Sequence, residues 1–220
     1  AGRTFAINGG TFTQNATGNM TGLGSVTFSG VTFNWTSGTV PTPASHLMGA
    51  STLNIGAAAT SAADFTFRGG NNLSGNVSVG QTLNVQGSGV GHGPLTAATG
   101  FTNAGVINLD SVVSGWSASL IVTSGVLTNT GTINANAGTG GVRSISAAVN
   151  NQGTININAP TDITKGSVAH TNSGTINIAG ANLTLNQSGA SPSFTNTGTI
   201  SVSAGRTFAI NGGTFTQNAT

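Results

Sequence analysis

Apolar and polar residues alternate with a period of two in short segments along the second half of the chain. In Thr175-Ile176-Asn177-Ile178 this pattern predicts a strand with both isoleucines on one face and the polar residues on the other. Four similar segments begin at Val106, Thr132, Thr154 and Thr199. Their first inward positions predict a core stack of Ile107, Ile133, Ile155, Ile176 and Ile200.

An Asn-x-Gly motif comes just before each of these strands. Glycine adopts positive φ at no steric cost, and asparagine tolerates it better than most residues, so the motif predicts a tight corner. If the coils stack, the asparagine amides lie about 4.8 Å apart and form a hydrogen-bonded ladder. The predicted turn ladder comprises Asn103, Asn129, Asn151, Asn172 and Asn196, with Gly105, Gly131, Gly153, Gly174 and Gly198.

The longer stretches that contain this motif recur with a period in the twenties. They begin at Phe101, Leu127, Val149, His170 and Phe194, which gives spacings of 26, 22, 21 and 24 residues. Further short strands are expected at residues 183–186 and 207–210. Such a period predicts stacked repeats. We therefore expect an all-β, right-handed parallel β-helix of about nine or ten coils, each of roughly 20–25 residues, as one continuous domain over residues 1–220.

A second, longer repeat encloses the first. The sequence AGRTFAINGGTFTQNAT occupies residues 1–17 and recurs without change at residues 204–220, an offset of 204 − 1 = 203 residues. Residues 1–203 are therefore interpreted as one long repeat and residues 204–220 as the start of the next, in a piece of a longer protein.

The middle of the chain follows the pattern less well. Residues 40–72 are expected to be the least regular part, because Pro41 and Pro43 interrupt any strand ladder that they join. Strand-like runs are expected to resume at residues 64–67, 77–79 and 82–85. Ala57–Ala63 is expected to form a bulging loop or a single helical turn, and residues 87–100 a loop.

The composition of the chain argues against several classes of function. Charged residues make up 4% of the chain and the net charge is +2, so the clustered cations of a nucleic-acid interface are absent. No apolar run reaches the roughly 18 residues of a membrane helix, so no membrane insertion is expected. There is no cysteine, and no cofactor or metal site is expected.

Candidate chemistry is sparse. Asp64, Asp110 and Asp162 are too far apart in sequence to suggest the paired carboxylates of a polysaccharide enzyme, and Asp162 with Lys165 is interpreted as a solvated loop pair. The chain is therefore not expected to be an enzyme. The three histidines, at positions 46, 92 and 170, would hold a metal only if they converged. His170 fills a position that is Phe, Leu or Val elsewhere, so it is interpreted as a core or corner residue.

Two tryptophans are candidates for sugar stacking. Trp35 ends an alternating strand, so its partial burial is as reasonable an interpretation as its exposure to a sugar, and Trp116 is the other candidate.

The stretch FTNTGTISVSAGRTFAINGGTFTQNAT resembles repeats of large bacterial surface and secreted proteins, the haemagglutinin- and autotransporter-passenger-like parallel β-helices. The resemblance covers residues 101–220 clearly, residues 1–17 by identity and the middle third loosely. It implies an extracellular or cell-surface stalk, adhesin shaft or matrix fibre.

The first hypothesis is therefore a structural repeat of an extracellular bacterial fibre, stalk or matrix protein, whose partners are neighbouring repeats or further copies end to end. The alternative is an adhesin passenger that binds glycans or another surface through a recognition loop at Pro41–Gly70. The third, a polysaccharide-acting enzyme, requires grouped carboxylates.

Overall fold

Parallel strands wind into a β-solenoid of about nine turns in the computed structural model, which describes residues 3–18, 24–40 and 45–218. No helix occurs in these residues, and the expected all-β parallel architecture is confirmed. The strands are β1 (Thr4–Gln14), β2 (Ser25–Ser37), β3 (Ser45–Gly49), β4 (Thr52–Ala58), β5 (Ala63–Arg68), β6 (Asn71–Ser74), β7 (Gln81–Gly87), β8 (Gly93–Ala97), β9 (Phe101–Asn103), β10 (Val106–Ser111), β11 (Ala118–Asn129), β12 (Thr132–Ala135), β13 (Arg143–Asn151), β14 (Thr154–Ile157), β15 (Thr161–Thr164), β16 (Ala169–Asn172), β17 (Thr175–Ile178), β18 (Leu183–Asn186), β19 (Ser193–Asn196), β20 (Thr199–Val202), β21 (Phe208–Asn211) and β22 (Thr214–Gln217).

The strands stack into three faces. From β7 onward each coil visits them in the order face 1, face 2, face 3, whereas the earlier coils have no strand on face 3 within the described residues. Face 1 contains β3, β5, β7, β10, β12, β14, β17 and β20. Face 2 contains β4, β6, β8, β15, β18 and β21, and face 3 contains β9, β16, β19 and β22. The longer strands turn a corner: β1 and β2 run through faces 1 and 2, and β11 and β13 through faces 2 and 3.

Equivalent residues of successive coils lie in register. Ile107, Ile133, Ile155, Ile176 and Ile200 are paired in sequence order along face 1. The first four are fully buried, whereas Ile200 in the last coil is partly buried. In the first coils the core is aromatic instead, and Phe28 and Phe33 stack with ring centroids 4.9 Å apart. Apolar burial on a solenoid is therefore continuous along its axis.

The segment expected to be irregular is largely ordered. Pro41 and Pro43 lie outside the described residues, but β3, β4 and β5 occupy most of residues 45–68. The strand-like run expected at residues 64–67 lies within β5, whereas β3 and β4 were not expected. The alternating residues Met48, Phe65 and Phe67 point inward and are fully buried, which explains why these strands join the stack. Residues 57–63 likewise contain the end of β4 and the start of β5 rather than only a loop. The loop expected at residues 87–100 is interrupted by β8, and Trp35 is fully buried.

The glycines of the Asn-x-Gly motif serve a different purpose from the one expected. None of the five adopts positive φ, and neither do the five asparagines. A Cβ on Gly153 would instead lie 2.7 Å from the Thr130 carbonyl carbon of the preceding coil, and one on Gly198 would lie 2.6 Å from the Ser173 carbonyl carbon. Glycine is required because the backbones of successive coils approach closely at this corner.

No helix within the described residues is long and apolar enough to cross a membrane.

Candidate functional site

A ladder of buried asparagines runs along face 3. Each side-chain amide donates to the amide oxygen of the next coil, with nitrogen–oxygen distances of 2.8 Å from Asn103, 2.7 Å from Asn129, and 2.6 Å from both Asn151 and Asn172. The same Asn151 amide also donates to the Thr175 carbonyl at 3.1 Å, across the corner to face 1. We call this column the inner ladder. It holds both the coils and the corners together with hydrogen bonds that water does not reach.

The inner ladder has two different ends. At its first rung, the Asn103 amide oxygen is buried without a hydrogen-bond partner, because the preceding coil places Val77 opposite it. At its other end, Asn196 donates to the Gln217 side-chain oxygen at 2.8 Å. The Gln217 amide then donates to the Asn218 carbonyl at 3.1 Å. Within the described residues the ladder ends here, because the glutamine amide donates to the carbonyl of the following residue.

A second ladder of side-chain amides lies on face 1, and the sequence pattern did not predict it. Each amide donates to the oxygen of the preceding coil over 2.8–2.9 Å, and the last acceptor is the Asp64 carboxylate. We call it the outer ladder; its members are Asp64, Asn84, Asn108, Asn134, Asn156 and Asn177. Its amides point toward the N-terminal coil, opposite to those of the inner ladder. The recurring outward asparagines were the signal for it.

The carboxylates are dispersed along the solenoid. Asp64 lies on β5, Asp110 on β10 and Asp162 on β15, with at least one coil between each pair. Asp110 lies 3.8 Å from the guanidinium of Arg143. In the described part of the chain, no three metal-ligating side chains come together.

Two cationic side chains hold the backbone in place through hydrogen bonds to carbonyl groups. The buried Arg143 donates to the carbonyls of Asn136, Ala137, Gly140 and Gly141. Burial lowers the pKa of Arg143 and the neighbouring Asp110 raises it, so the two effects oppose each other. Lys165 donates to the Val122 and Thr123 carbonyls, both at 2.8 Å, two coils away. The expected loop pair of Asp162 and Lys165 is therefore wrong: Asp162 lies within β15.

The three histidines lie in separate environments. The Nδ1 atom of His46 donates to the Asp64 carbonyl at 2.8 Å, and burial lowers the pKa of this side chain. His170 is opposite Phe194 in the core, and its Nδ1 atom accepts from the Val149 amide at 3.3 Å. Burial lowers the pKa of His170 to about 4. Both rings leave a buried Nε2 atom without a hydrogen-bond partner.

The last coil, formed by β20, β21 and β22, is open on one side within the described residues. Val202 is 45% exposed, whereas its neighbour Ile178 in the preceding coil is 1% exposed. Phe215 is 46% exposed and its neighbour Phe194 is 3% exposed. An unpaired strand edge beside exposed apolar side chains is a surface suited to a further coil.

Comparisons with known protein families, curated proteins and solved structures give no match to this chain. Its function therefore has to be inferred from its own geometry.

One corner of the solenoid carries a second apolar surface. The loops at residues 88–92, 112–117 and 137–142 stack there, between faces 1 and 2. Trp116 is 36% exposed and its ring meets that of His92 edge to face, with centroids 4.9 Å apart. We call this the corner patch; its other exposed apolar members are Val90, Val112, Val113 and Val142.

Proposed function

We propose that this chain is a structural repeat of an extracellular bacterial fibre, stalk or matrix protein, in which coils stack axially into a rigid rod. The observation that carries the proposal is the repeated end segment: β21 and β22 have the sequence of β1, and β1 is covered by the next coil. In a further repeat, the residues that follow the second copy would form the coil that covers it. The resemblance to haemagglutinin- and autotransporter-passenger-like repeats supports the extracellular bacterial setting.

The contacts within the chain suit a load-bearing rod. Backbone hydrogen bonds, the apolar core and both amide ladders all run along the same axis, so each coil stabilises the next. Arg143 and Lys165 bind backbone carbonyls, which lowers their accessibility to trypsin-like proteases.

The rod is tested with chains of one, two and three 203-residue repeats. Each added repeat is expected to lengthen the particle by about 45 Å at constant width, as measured by electron microscopy. The denaturant midpoint is expected to rise with repeat number. Separate beads joined by flexible segments, or a midpoint independent of repeat number, would contradict the proposal.

A matched pair of variants tests whether the coils stack across the junction between two repeats. In a two-repeat chain, Ile210→Asp puts a charge inside the first junction, whereas Ala209→Asp puts the same charge on the outer side of the same strand. We expect the first variant to break the particle into two shorter rods and the second to leave its length unchanged.

The proposed extracellular location of the protein is tested with antibodies against the loop at residues 112–117. They are expected to label intact source cells or their surrounding material. Labelling that requires permeabilised cells would contradict the extracellular setting.

A second candidate function, binding of a glycan surface, is favoured by the corner patch. Trp116 offers a partly exposed aromatic ring, the type of side chain that stacks on sugars, whereas the described part of the predicted recognition segment Pro41–Gly70 mostly forms strands. On a glycan array, Trp116→Ala is expected to abolish binding. Val79→Ala, at an exposed valine away from the patch, is the control. Equal binding by both variants would remove this candidate.

The third hypothesis, a polysaccharide-cleaving enzyme, is not proposed. Its paired carboxylates would have to share one cleft, and Asp64, Asp110 and Asp162 lie on different coils.

A further inference from the structure

The two copies of the repeated end sequence lie on different faces of the solenoid. The first copy forms β1, whose Thr4–Asn8 part pairs with β2 on face 1 and whose Gly10–Gln14 part pairs with β2 on face 2. The second copy forms β21 on face 2 and β22 on face 3. The same residues are therefore displaced by one face.

The local structure of the two copies is nevertheless the same. Both make their corner with two successive positive-φ glycines, at 84° and 79° for Gly9 and Gly10, and at 78° and 67° for Gly212 and Gly213. The same positions pack against the neighbouring coil: Phe12 lies opposite Phe33, and its copy Phe215 lies opposite Phe194. The unit keeps its shape while its position around the axis changes.

The two copies also use opposite sides. The first is covered on its C-terminal side by β2, and the second on its N-terminal side by β18 and β19. Gln14 and Gln217 both donate to the carbonyl of the following residue, while the Gln217 oxygen additionally accepts from Asn196. All contacts of both copies can therefore be made at once by a single segment placed between β18–β19 and a following β2.

We propose that consecutive repeats join in this way, with one segment making the contacts of both copies. Each 203-residue repeat then advances the solenoid by nine coils plus one face. This rests on the proposed function, since it presupposes a tandem array. Ten strands follow one another on face 1, from β1 to β20, so nine turns separate them. The repeated unit starts on face 1 of the first coil and recurs on face 2 of the tenth.

The consequence is a rod whose repeats rotate. Each repeat turns by one of three faces, and the faces realign after three repeats, which is 28 coils or about 134 Å. The corner patch consequently appears at each of the three corners in succession.

Cysteine pairs in a two-repeat chain test the rotation, because the chain has no cysteine of its own. Ala209 is the copy of Ala6, which pairs with Thr27, so A209C and T27C of the second repeat become neighbours if the repeats rotate. If the second repeat continues in phase, its β2 lies on β20, and S201C with T27C of the second repeat form the neighbouring pair. Adjacent strands about 4.8 Å apart fall within the Cα–Cα range of a disulfide.

We expect the A209C pair to lose both free thiols on mild oxidation and the S201C pair to keep them. The reverse result would overturn the rotation while leaving the rod intact. The control pair T184C with A209C, which are register partners on face 2, is expected to close. If the control closes and neither junction pair does, the repeats do not stack, and both the proposed function and the rotation are overturned. A control that stays open would overturn the face 2 position of the second copy.

Electron cryomicroscopy of a three-repeat chain gives an independent measurement. The loops at residues 112–117 are expected to point to three different corners, and loops aligned along one edge would overturn the rotation.

Discussion

Asn151 shows how a polar side chain stabilises the interior of this solenoid. It is fully buried, accepts from Asn129 at 2.7 Å and donates to Asn172 at 2.6 Å. A buried amide is costly unless its hydrogen bonds are made, so each rung depends on its two neighbours.

Replacement of this rung tests the inner ladder. Asn151→Leu is expected to lower the free energy of unfolding by roughly 3 kcal/mol, because it leaves neighbouring buried amide groups without partners. Asn156→Leu, in the half-exposed outer ladder, is the control and is expected to cost less than about 1 kcal/mol because water replaces its partners. Equal decreases in the free energy of unfolding, measured by urea denaturation, would contradict the expected contribution of burial to the inner ladder.

The corner glycines give a second residue-scale prediction. Gly153→Ala forces a Cβ to within 2.7 Å of the Thr130 carbonyl carbon, so the coils must separate locally. We expect a loss of about 2–4 kcal/mol in the free energy of unfolding. Gly89→Ala, where a Cβ has no neighbour within 4 Å and φ is not positive, should be nearly neutral. A neutral Gly153→Ala would refute the close-approach explanation.

The buried histidines predict a loss of stability in mild acid. Burial holds the pKa of His170 at about 4 in the folded chain, below the ordinary value of 6.5, and lowers that of His46 as well. The unfolded chain therefore binds protons first, and stability falls as the pH drops from about 6.5 toward 4. His170→Phe, which copies Phe194, is expected to flatten this dependence in part, and the double variant with His46→Phe to flatten it further. Unchanged slopes of unfolding free energy against pH would contradict this.

At this scale the sequence identified the inward isoleucines and the asparagine column but misjudged the glycines. Positive φ and close backbone approach both demand glycine, and a sequence does not distinguish them. The distinction appears only once the distance from Gly153 to the preceding coil is known.

At the scale of elements, side chains also fix the connections between strands. Arg143 begins β13 and its guanidinium binds four carbonyls of the connection that follows β12. A fully buried cation without these acceptors would be strongly destabilising.

Arg143→Gln is expected to release the connection at residues 136–142 and to expose it to proteolysis, because its carbonyls lose their donors. Arg68→Gln removes a cation whose Nε atom binds Gln86 at 3.1 Å, and serves as the control. Limited proteolysis with a protease of broad specificity should cut the first variant near residues 136–142 and leave the second as resistant as the parent chain. Cleavage elsewhere would contradict the role of Arg143.

Strand prediction succeeded where alternation was strict and failed where composition looked irregular. Residues 45–58 contain two strands, β3 and β4, that the sequence pattern did not predict, yet Met48, Leu53 and Ile55 keep the inward period. Tertiary stacking overrides weak local signals, because any segment with two or three inward apolar residues can join an existing edge. The hydrogen bonds of the outer ladder could not be predicted either, because they join residues that become neighbours only when the coils stack.

At the scale of the whole molecule, the chain is a stack whose ends differ. The first described coil is covered on its C-terminal side only, by β2, and exposes Phe5, whereas the last coil is covered on its N-terminal side only and exposes Val202 and Phe215. The period of the motif, applied to the whole 203-residue repeat, predicted the number of coils, because the early coils have a similar length although none of the five motif copies lies in them. The displacement of the repeated segment by one face was not readable from sequence, since the connections between faces differ in length.

Axial stacking across the repeat junction is tested most directly by hydrogen exchange. In the 220-residue chain, the amides of β20, β21 and β22 that point away from the preceding coil are expected to exchange rapidly. When a second repeat follows, the same amides should become as protected as those of β17, β18 and β19. Exchange in β20–β22 that is unchanged by the second repeat would contradict the rod.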